Sequence, residues 1–140
     1  LEIVEAIAGW GADLGRTVMS HIERTVFDPA TLRELAATGV YMEYDLFGHD
    51  SSYYPFAPET YMPGDHERIA QIEGLAADGR LDRVLMSHDV CSKHRLKAYG
   101  GHGWDHILNR VLPRMRARGF SEKDLRTLLV DNPTRLLTFV

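Results

Sequence analysis

The sequence predicts an α/β fold in which parallel strands alternate with helices. Three short apolar runs, at residues 17–21, 40–47 and 83–89, are long enough for buried strands. Helical patterns separate them, and strands that alternate with helices of ten or more residues require crossover connections between parallel strands. The 140 residues can bury a real core but are short for a complete eight-stranded barrel, which needs roughly 250 residues.

Capping residues predict where the first helices begin and end. Residues 2–13 place Ile3, Ile7 and Trp10 on one helical face. Asp28-Pro29 is typical of an N-cap followed by a first helical residue, and Gly39 is typical of the C-terminal end of that helix. The pattern predicts a further helix over 65–78 and a long loop over 48–63.

The C-terminal third predicts two more helices after the third strand. The first spans 104–118, with a kink near Pro113, and it follows a loop over 90–103. The spacing Ser121-x-x-Asp124 is close to a capping box and predicts the start of the last helix. We expect the pair Asn132-Pro133 to end it, and we allow for a short helical turn after the pair.

Composition and charge restrict the partners. The net charge is −4 with scattered basic residues, which argues against a nucleic-acid partner or an anionic membrane surface. No apolar run approaches the ~20 residues that span a bilayer, and no signal peptide is visible. Cys91 is the only cysteine, which indicates a reducing compartment and predicts a cytoplasmic location. The expected partner is a small-molecule substrate, and we allow for a homodimer.

Polar side chains stand at the carboxyl ends of the three predicted strands, where α/β folds bind their ligands. The first strand ends at His21, the second at Asp45 and the third at Ser87-His88-Asp89. Imidazole and carboxylate groups suit Zn²⁺ or a similar divalent ion. The spacing alone leaves a second interpretation open, in which His21 and Asp89 only form ordinary hydrogen bonds.

Several strings of the sequence resemble the phosphotriesterase family of the amidohydrolase superfamily. They are TVMSHIERT, EYDLFG, VLMSHDV, KAYGGHGWDHI and NPTRLLTF, and they follow one another in order over nearly the whole chain. The resemblance implies that the three strands are strands six, seven and eight of a (β/α)₈ TIM barrel. Residues 1–140 would then be the C-terminal portion of one metal-dependent hydrolase domain, without strands one to five.

The resemblance also implies a metal site and a reaction. His21 matches the metal-binding histidine at the end of strand six, and Asp89 matches the metal-binding aspartate at the end of strand eight. The family binds two divalent ions, for which we expect Zn²⁺, with Mn²⁺, Co²⁺ or Fe²⁺ as alternatives. A metal-bridging hydroxide would attack an ester, lactone, amide or phosphotriester, and Asp89 would carry its proton away. The family's other ligands, on strands one, four and five, have no counterpart in this chain.

Other polar residues allow two interpretations each. Asp45 orients a ligand or contacts substrate, or it pairs with a buried cation. Arg95 lies in the loop that shapes the family's substrate pocket, and it either binds substrate or is a solvated charge. His88 is expected to make a structural hydrogen bond to the surrounding helices, and Trp104 to bury a helix start. His49 and His66 fit the protein surface.

A competing hypothesis is a non-catalytic barrel fragment or binding protein that depends on a partner. Parallel sheets are normally covered on both faces, and a bare strand edge invites pairing with another chain. Three strands without the rest of a barrel would expose such edges. The absence of the remaining metal ligands favours this alternative for the isolated chain.

Overall fold

The computed structural model describes residues 1–50 and 54–139. Residues 51–53 of the predicted loop over 48–63 lie outside the described residues, as does Val140. Helices and strands alternate in the order α1 (Glu2–Gly9), β1 (Val18–Met19), α2 (Pro29–Ala37), β2 (Tyr41–Tyr44), α3 (Asp65–Ala77), β3 (Val84–Met86), α4 (Leu112–Ala117), α5 (Glu122–Arg126) and α6 (Asn132–Leu137).

The three strands form one parallel sheet in the order β1-β2-β3, as the alternating pattern predicted. Val18 pairs with Tyr41, and Met42 pairs with Val84 on the other side of β2. Each strand is shorter than its apolar run, because the last residues of each run leave the ladder. Those departing residues carry the polar side chains, so the sheet ends where the candidate site begins.

The core lies between the sheet and its covering helices, on one face of β2. Val40, Met42 and Tyr44 alternate onto that face and are fully buried. The helices contribute apolar side chains at helical spacing, including Leu32 and Leu35 of α2, Ile69, Ile72 and Leu75 of α3, and Met115 of α4. Burial of this kind stabilises a fold by roughly 25 cal/mol per Å² of apolar surface, and it fixes the strand ends in space.

The predicted caps of α2 and of the last helix are confirmed. The carboxylate of Asp28 accepts a hydrogen bond from the backbone N–H of Thr31 at 2.8 Å, and Pro29 is the first residue of α2. The hydroxyl of Ser121 accepts from the N–H of Asp124, whose carboxylate accepts from the N–H of Ser121 in return. Each such cap contributes about 1 kcal/mol.

One expectation about an apolar side chain is wrong, that for Trp104. In α1, Val4 packs on the core, whereas Ile3 and Trp10 of the predicted apolar face are 64% and 82% exposed in the described chain. Trp104 is 66% exposed and does not bury a helix start, because the chain around it remains a turn until Ile107.

The predicted end at Asn132-Pro133 is also wrong, since the helix continues through α6 to Leu137. A π-helical turn over Thr127–Asp131 precedes the proline, so the regular i to i−4 pattern is already broken where Pro133 lacks its N–H. The buried amide of Asn132 donates to the carbonyls of Leu81 and Val84 at 2.7 and 2.8 Å and ties this helix to β3. A second π-helical turn, Ile107–Val111, leads into α4 ahead of Pro113. In the part of the chain that is described, every helix falls short of the length or apolar character that crossing a bilayer would require.

Candidate metal and substrate site

The two predicted metal ligands share an unusual backbone conformation. His21 and Asp89 are the only residues other than glycine with positive φ in the described chain, at 57° and 42°. A left-handed backbone at such a residue costs of order 1–3 kcal/mol and persists where the surroundings enforce it. His21 follows β1 and Asp89 follows β3, so both turns lie at the carboxyl edge of the sheet. Backbone strain thus falls on the two positions that the sequence selected.

Sheet order sets the distance that the two side chains must bridge. β2 lies between β1 and β3, and adjacent strands are ~4.8 Å apart, so the two strand ends are separated by roughly 10 Å. Two ions in a binuclear site lie about 3.5–4 Å apart and add a ligand bond on each side. The separation therefore suits one ligand on each of two ions, with Asp45 at the end of β2 between them.

Asp45 fixes the orientation of the His21 ring. Its Oδ1 lies 2.6 Å from Nδ1 of His21, and the carboxylate is nearly buried. A carboxylate accepts hydrogen bonds, so Nδ1 is the donor to Asp45, and in the neutral imidazole this tautomer leaves the lone pair on Nε2. A carboxylate behind a histidine in this way is the usual arrangement for a metal-binding imidazole. The structure places Asp45 against the predicted metal ligand His21, and its role in orienting a ligand or contacting substrate stays a prediction.

Arg95 holds the turn at Asp89. Its guanidinium donates to the backbone carbonyl of Asp89, and its Nη1 lies 3.5 Å from the carboxylate Oδ2. The same Nη1 lies 3.2 Å from the sulfur of Cys91. Arg95 is therefore not a free solvated charge. It fixes the left-handed turn from which the Asp89 side chain, 36% exposed, reaches the sheet edge.

The glycine-rich loop packs directly behind Arg95. The N–H of Gly103 donates to the Arg95 carbonyl at 2.9 Å. A Cβ added to Gly101 would lie 2.1 Å from the Arg95 carbonyl carbon, which is closer than packed atoms can approach. Only glycine leaves room for this contact. The motif GGHG therefore packs against Arg95 and holds it in the position from which it contacts Asp89.

A buried ionic network lies beneath the strand ends, and the sequence analysis missed it. Arg68 of α3 and Glu23 are both fully buried, with Nε of Arg68 3.4 Å from Oε1 of Glu23. Oε1 also accepts the backbone N–H of Leu46 at 2.7 Å. Arg68 donates further to Asp65 and to the carbonyls of His49 and Pro63, at 2.6–2.8 Å. One guanidinium thus connects the turn after β1 to the loop after β2.

Asp65 extends this network to the last loop. Its carboxylate accepts from the N–H of Gly48 at 2.9 Å and from Nε2 of His106 at 2.6 Å. Burial opposes ionisation, but these hydrogen bonds hold the pKa of Asp65 below its usual value. For Glu23 burial outweighs the hydrogen bonds, so the pKa of this carboxyl is raised. The side chains of Glu23, Arg68 and Asp65 therefore link the segments that follow β1, β2 and β3.

Four histidine rings cluster near the site, with His102 at their centre. The ring of His102 lies 5.3 Å from His49, 6.2 Å from His88 and 5.4 Å from His106, measured between centroids. Nε2 of His88 accepts the N–H of Ile107 at 3.1 Å, so the hydrogen bond expected of His88 is present. His49 was expected at the surface, but its Nε2 is buried because His102 covers it.

The described residues supply only part of a metal site. No three His, Cys, Asp or Glu side chains converge well enough to hold an ion within residues 1–50 and 54–139. Parallel strands, covering helices and polar residues at one sheet edge together define this molecule as an α/β protein whose candidate site lies at the carboxyl edge of its sheet.

The chain belongs to the phosphotriesterase family, whose sequence model matches residues 1–137. It is 46% identical over 138 residues to the N-acetyltaurine hydrolase of Mus musculus, covering 99% of this chain and 40% of that protein. The chain therefore spans about two fifths of the length of the curated relatives it matches.

Solved structures show the same fold. A resiniferatoxin-binding protein from Rhodobacter sphaeroides superimposes with a TM-score of 0.90 at 38% identity, over 96% of this chain and 37% of that one. The phosphotriesterase homology protein of Escherichia coli, complexed with phosphate in its active site, gives 0.84 at 31% identity, over 98% and 43%. The predicted C-terminal barrel portion is thereby confirmed.

His49 predicts a pH dependence of stability in the whole barrel, meaning a polypeptide in which strands one to five precede this chain. Burial chiefly, with the charges of Arg95 and His102, lowers the pKa of His49 from 6.5 to about 4. Between these values the unfolded chain binds a proton that the folded chain does not, so the free energy of unfolding falls as pH falls from 6.5 to 4. We expect His49→Asn to lose less stability than wild type between pH 7 and pH 5, measured by urea unfolding.

The exposed His66 provides the matched control for this prediction. His66→Asn should retain the full wild-type loss of stability over the same pH interval, because His66 lies on the open surface of α3. Equal losses in wild type and His49→Asn would show that His49 does not titrate as its burial implies.

Proposed function

We propose that this chain supplies strands six to eight of a metal-dependent amide hydrolase. The observation that carries the proposal is the pair of left-handed turns at His21 and Asp89, each held by a charged partner at the same sheet edge. The family supports hydrolysis as the reaction class, and the relatives named N-acetyltaurine hydrolase support an amide substrate. We infer an N-acyl aminosulfonate as the substrate class.

The two residues fit a zinc site by their donor chemistry. The ring of His21 presents Nε2 because Nδ1 is bound to Asp45, and Asp89 presents a part-exposed carboxylate. One imidazole nitrogen and one carboxylate oxygen are ligands that Zn²⁺ accepts, and Mn²⁺, Co²⁺ and Fe²⁺ accept them too. When bound, such ions polarise the scissile carbonyl and bring the pKa of a water near neutrality.

The residues of this chain have separate tasks in the proposed reaction. Asp89 accepts the proton of the attacking water at a carboxylate oxygen and passes it to the amide nitrogen as the C–N bond breaks. The products are a carboxylic acid and a free amine. Asp45 keeps the His21 ring in its ligating orientation, and Arg95 keeps the turn at Asp89. Both side chains have partners within the site, Asp45 with His21 and Arg95 with Asp89. Direct contact of Asp45 or Arg95 with substrate stays a prediction.

The proposal is tested by assaying the whole barrel, after expression with Zn²⁺, on N-acetyltaurine. We expect release of acetate and taurine with a metal content near two ions per chain. Paraoxon and a γ-lactone serve as parallel substrates for the other reactions known from the family, and we expect both to be slower than the amide. Hydrolysis of the phosphotriester or lactone alone would overturn the amide assignment.

The competing function is a binding fragment that needs a partner. It is favoured by the incomplete donor set among the described residues, in which no three ligands meet. The same preparation separates the two functions by metal analysis. A metal content near zero after metal-replete expression, together with absent amide hydrolysis, would support the binding fragment and end the hydrolase proposal.

A further inference from the structure

Arg24 is a part-buried guanidinium at the carboxyl edge of the sheet, and it has no acidic partner among the described residues. It ends the 3₁₀ turn Ile22–Arg24 that follows β1. Two other arginines near the strand ends form ion pairs: Arg68 contacts Glu23 and Asp65, and Arg95 contacts Asp89. In the described chain no ion pair involves Arg24. The three undescribed loop residues, 51–53, carry no acidic side chain.

The turn holds Arg24 close to His21. The N–H of Arg24 donates to the carbonyl of His21 at 3.3 Å, which closes this turn. Ile22 and Glu23, between them, are 2% and 0% exposed and are buried, whereas His21 and Arg24 are both part-exposed. The guanidinium of Arg24 therefore belongs to the same part-exposed turn at the carboxyl end of β1 as His21.

The ring of Tyr54 packs against the Arg24 guanidinium. The Cζ atom of Arg24 lies 5.1 Å from the centroid of the Tyr54 ring, in the loop after β2. Contact with an aromatic ring uses the face of a guanidinium and leaves its N–H groups free to donate in the plane. That edge matches the oxygens of a carboxylate or sulfonate, to which arginine binds through two parallel hydrogen bonds.

We propose that Arg24, supported by Tyr54, binds the anionic end group of the substrate while the amide lies at His21 and Asp89. The inference rests on the proposed function, and it names the residue that would bind the sulfonate of the substrate. Arg95 and Lys97, in the loop after β3, already contact Asp89 and Asp105, and Lys93 of the same loop lies over the ring of Tyr99. Among the described residues Arg24 has no acidic partner, and its planar guanidinium can donate two parallel hydrogen bonds, which the ammonium group of Lys93 cannot.

The test compares Arg24→Gln with wild type in the whole barrel on three amides that share an acetyl group. N-acetyltaurine carries a sulfonate, N-acetyl-β-alanine a carboxylate, and N-acetylethanolamine no charge. We expect Arg24→Gln to lower kcat/KM for N-acetyltaurine by about 10- to 100-fold, mainly through KM, because charge-assisted hydrogen bonds are lost. The neutral amide should change less than about twofold. A larger loss on the sulfonate than on the carboxylate would identify the sulfonate as the preferred end group.

Two further measurements keep the inference separate from the proposed function. Arg24→Lys should reverse part of the rise in KM for N-acetyltaurine. Arg33→Gln, on the exposed face of α2, should have wild-type kinetics. Propanesulfonate binding, measured by calorimetry with zinc present, should weaken at least tenfold in Arg24→Gln whether or not the amide is hydrolysed. Absent amide hydrolysis with Arg24-dependent propanesulfonate binding would overturn only the proposed function. Equal losses on charged and neutral amides, or unchanged propanesulfonate binding, would overturn the role of Arg24.

Discussion

Replacing His21 or Asp89 by alanine in the whole barrel lowers kcat/KM for the amide by about 10³-fold or more. General acid–base catalysis alone contributes 10²- to 10⁴-fold, and Asp89→Ala removes that group together with a metal ligand. His21→Ala removes the nitrogen donor that Asp45 orients. Steady-state kinetics on zinc-loaded protein measures the loss, and metal analysis should show fewer than two ions per chain in both variants.

Matched surface variants separate loss of the site from loss of the fold. His66→Ala and Asp78→Ala change the same residue types on the exposed surface around α3, and both should keep wild-type kinetics and metal content. Circular dichroism of His21→Ala and Asp89→Ala should match wild type, since neither side chain belongs to the hydrophobic core. Wild-type turnover in either site variant would contradict the roles assigned to them.

Arg68→Met is expected to cost about 3–5 kcal/mol of folding stability, because it leaves buried acids without their cation. Glu23 is fully buried and Asp65 is 5% exposed, so neither carboxylate can recover its hydration. The carbonyls of His49 and Pro63 lose their donor as well. Urea unfolding of the whole barrel measures the change in the free energy of unfolding.

The control for Arg68→Met is Arg33→Met. Arg33 pairs with Asp78 at 2.7 Å, but both side chains are solvent-exposed, so we expect a loss of at most about 1 kcal/mol. Glu23→Gln provides a milder change in the same network, because an amide can still accept the N–H of Leu46. It should fall between the two methionine variants. Equal stability of Arg68→Met and Arg33→Met would show that the buried network does not organise the strand ends.

The strand ends were predictable because their signal is local. A short apolar run followed by His or Asp marks both a buried strand and a polar edge, and the structure places His21, Asp45 and Asp89 there. The family strings then specified which strands these are. Helix caps at Asp28 and Ser121 were predictable for the same reason, since each depends on residues within three positions.

The buried network was not predictable from hydrophobic periodicity. A pattern of apolar residues assigns charged positions such as Arg68 to solvent, whereas the structure buries this guanidinium completely. Its partners lie far away in the chain, so no short motif records the contact. The spacing of Asp65 and Arg68, three apart on one helix, was the only local sign, and such pairs are usually exposed. Arg24 was missed because its significance depends on Tyr54, thirty positions away.

The central claim is that His21 and Asp89 bind metal ions at the open end of the barrel. Anomalous diffraction from crystals of the zinc-loaded whole barrel, recorded at the zinc absorption edge, tests it most directly. We predict peaks ~2.0–2.2 Å from Nε2 of His21 and from a carboxylate oxygen of Asp89. Zinc peaks that lie elsewhere, with these two side chains turned away from any ion, would contradict it.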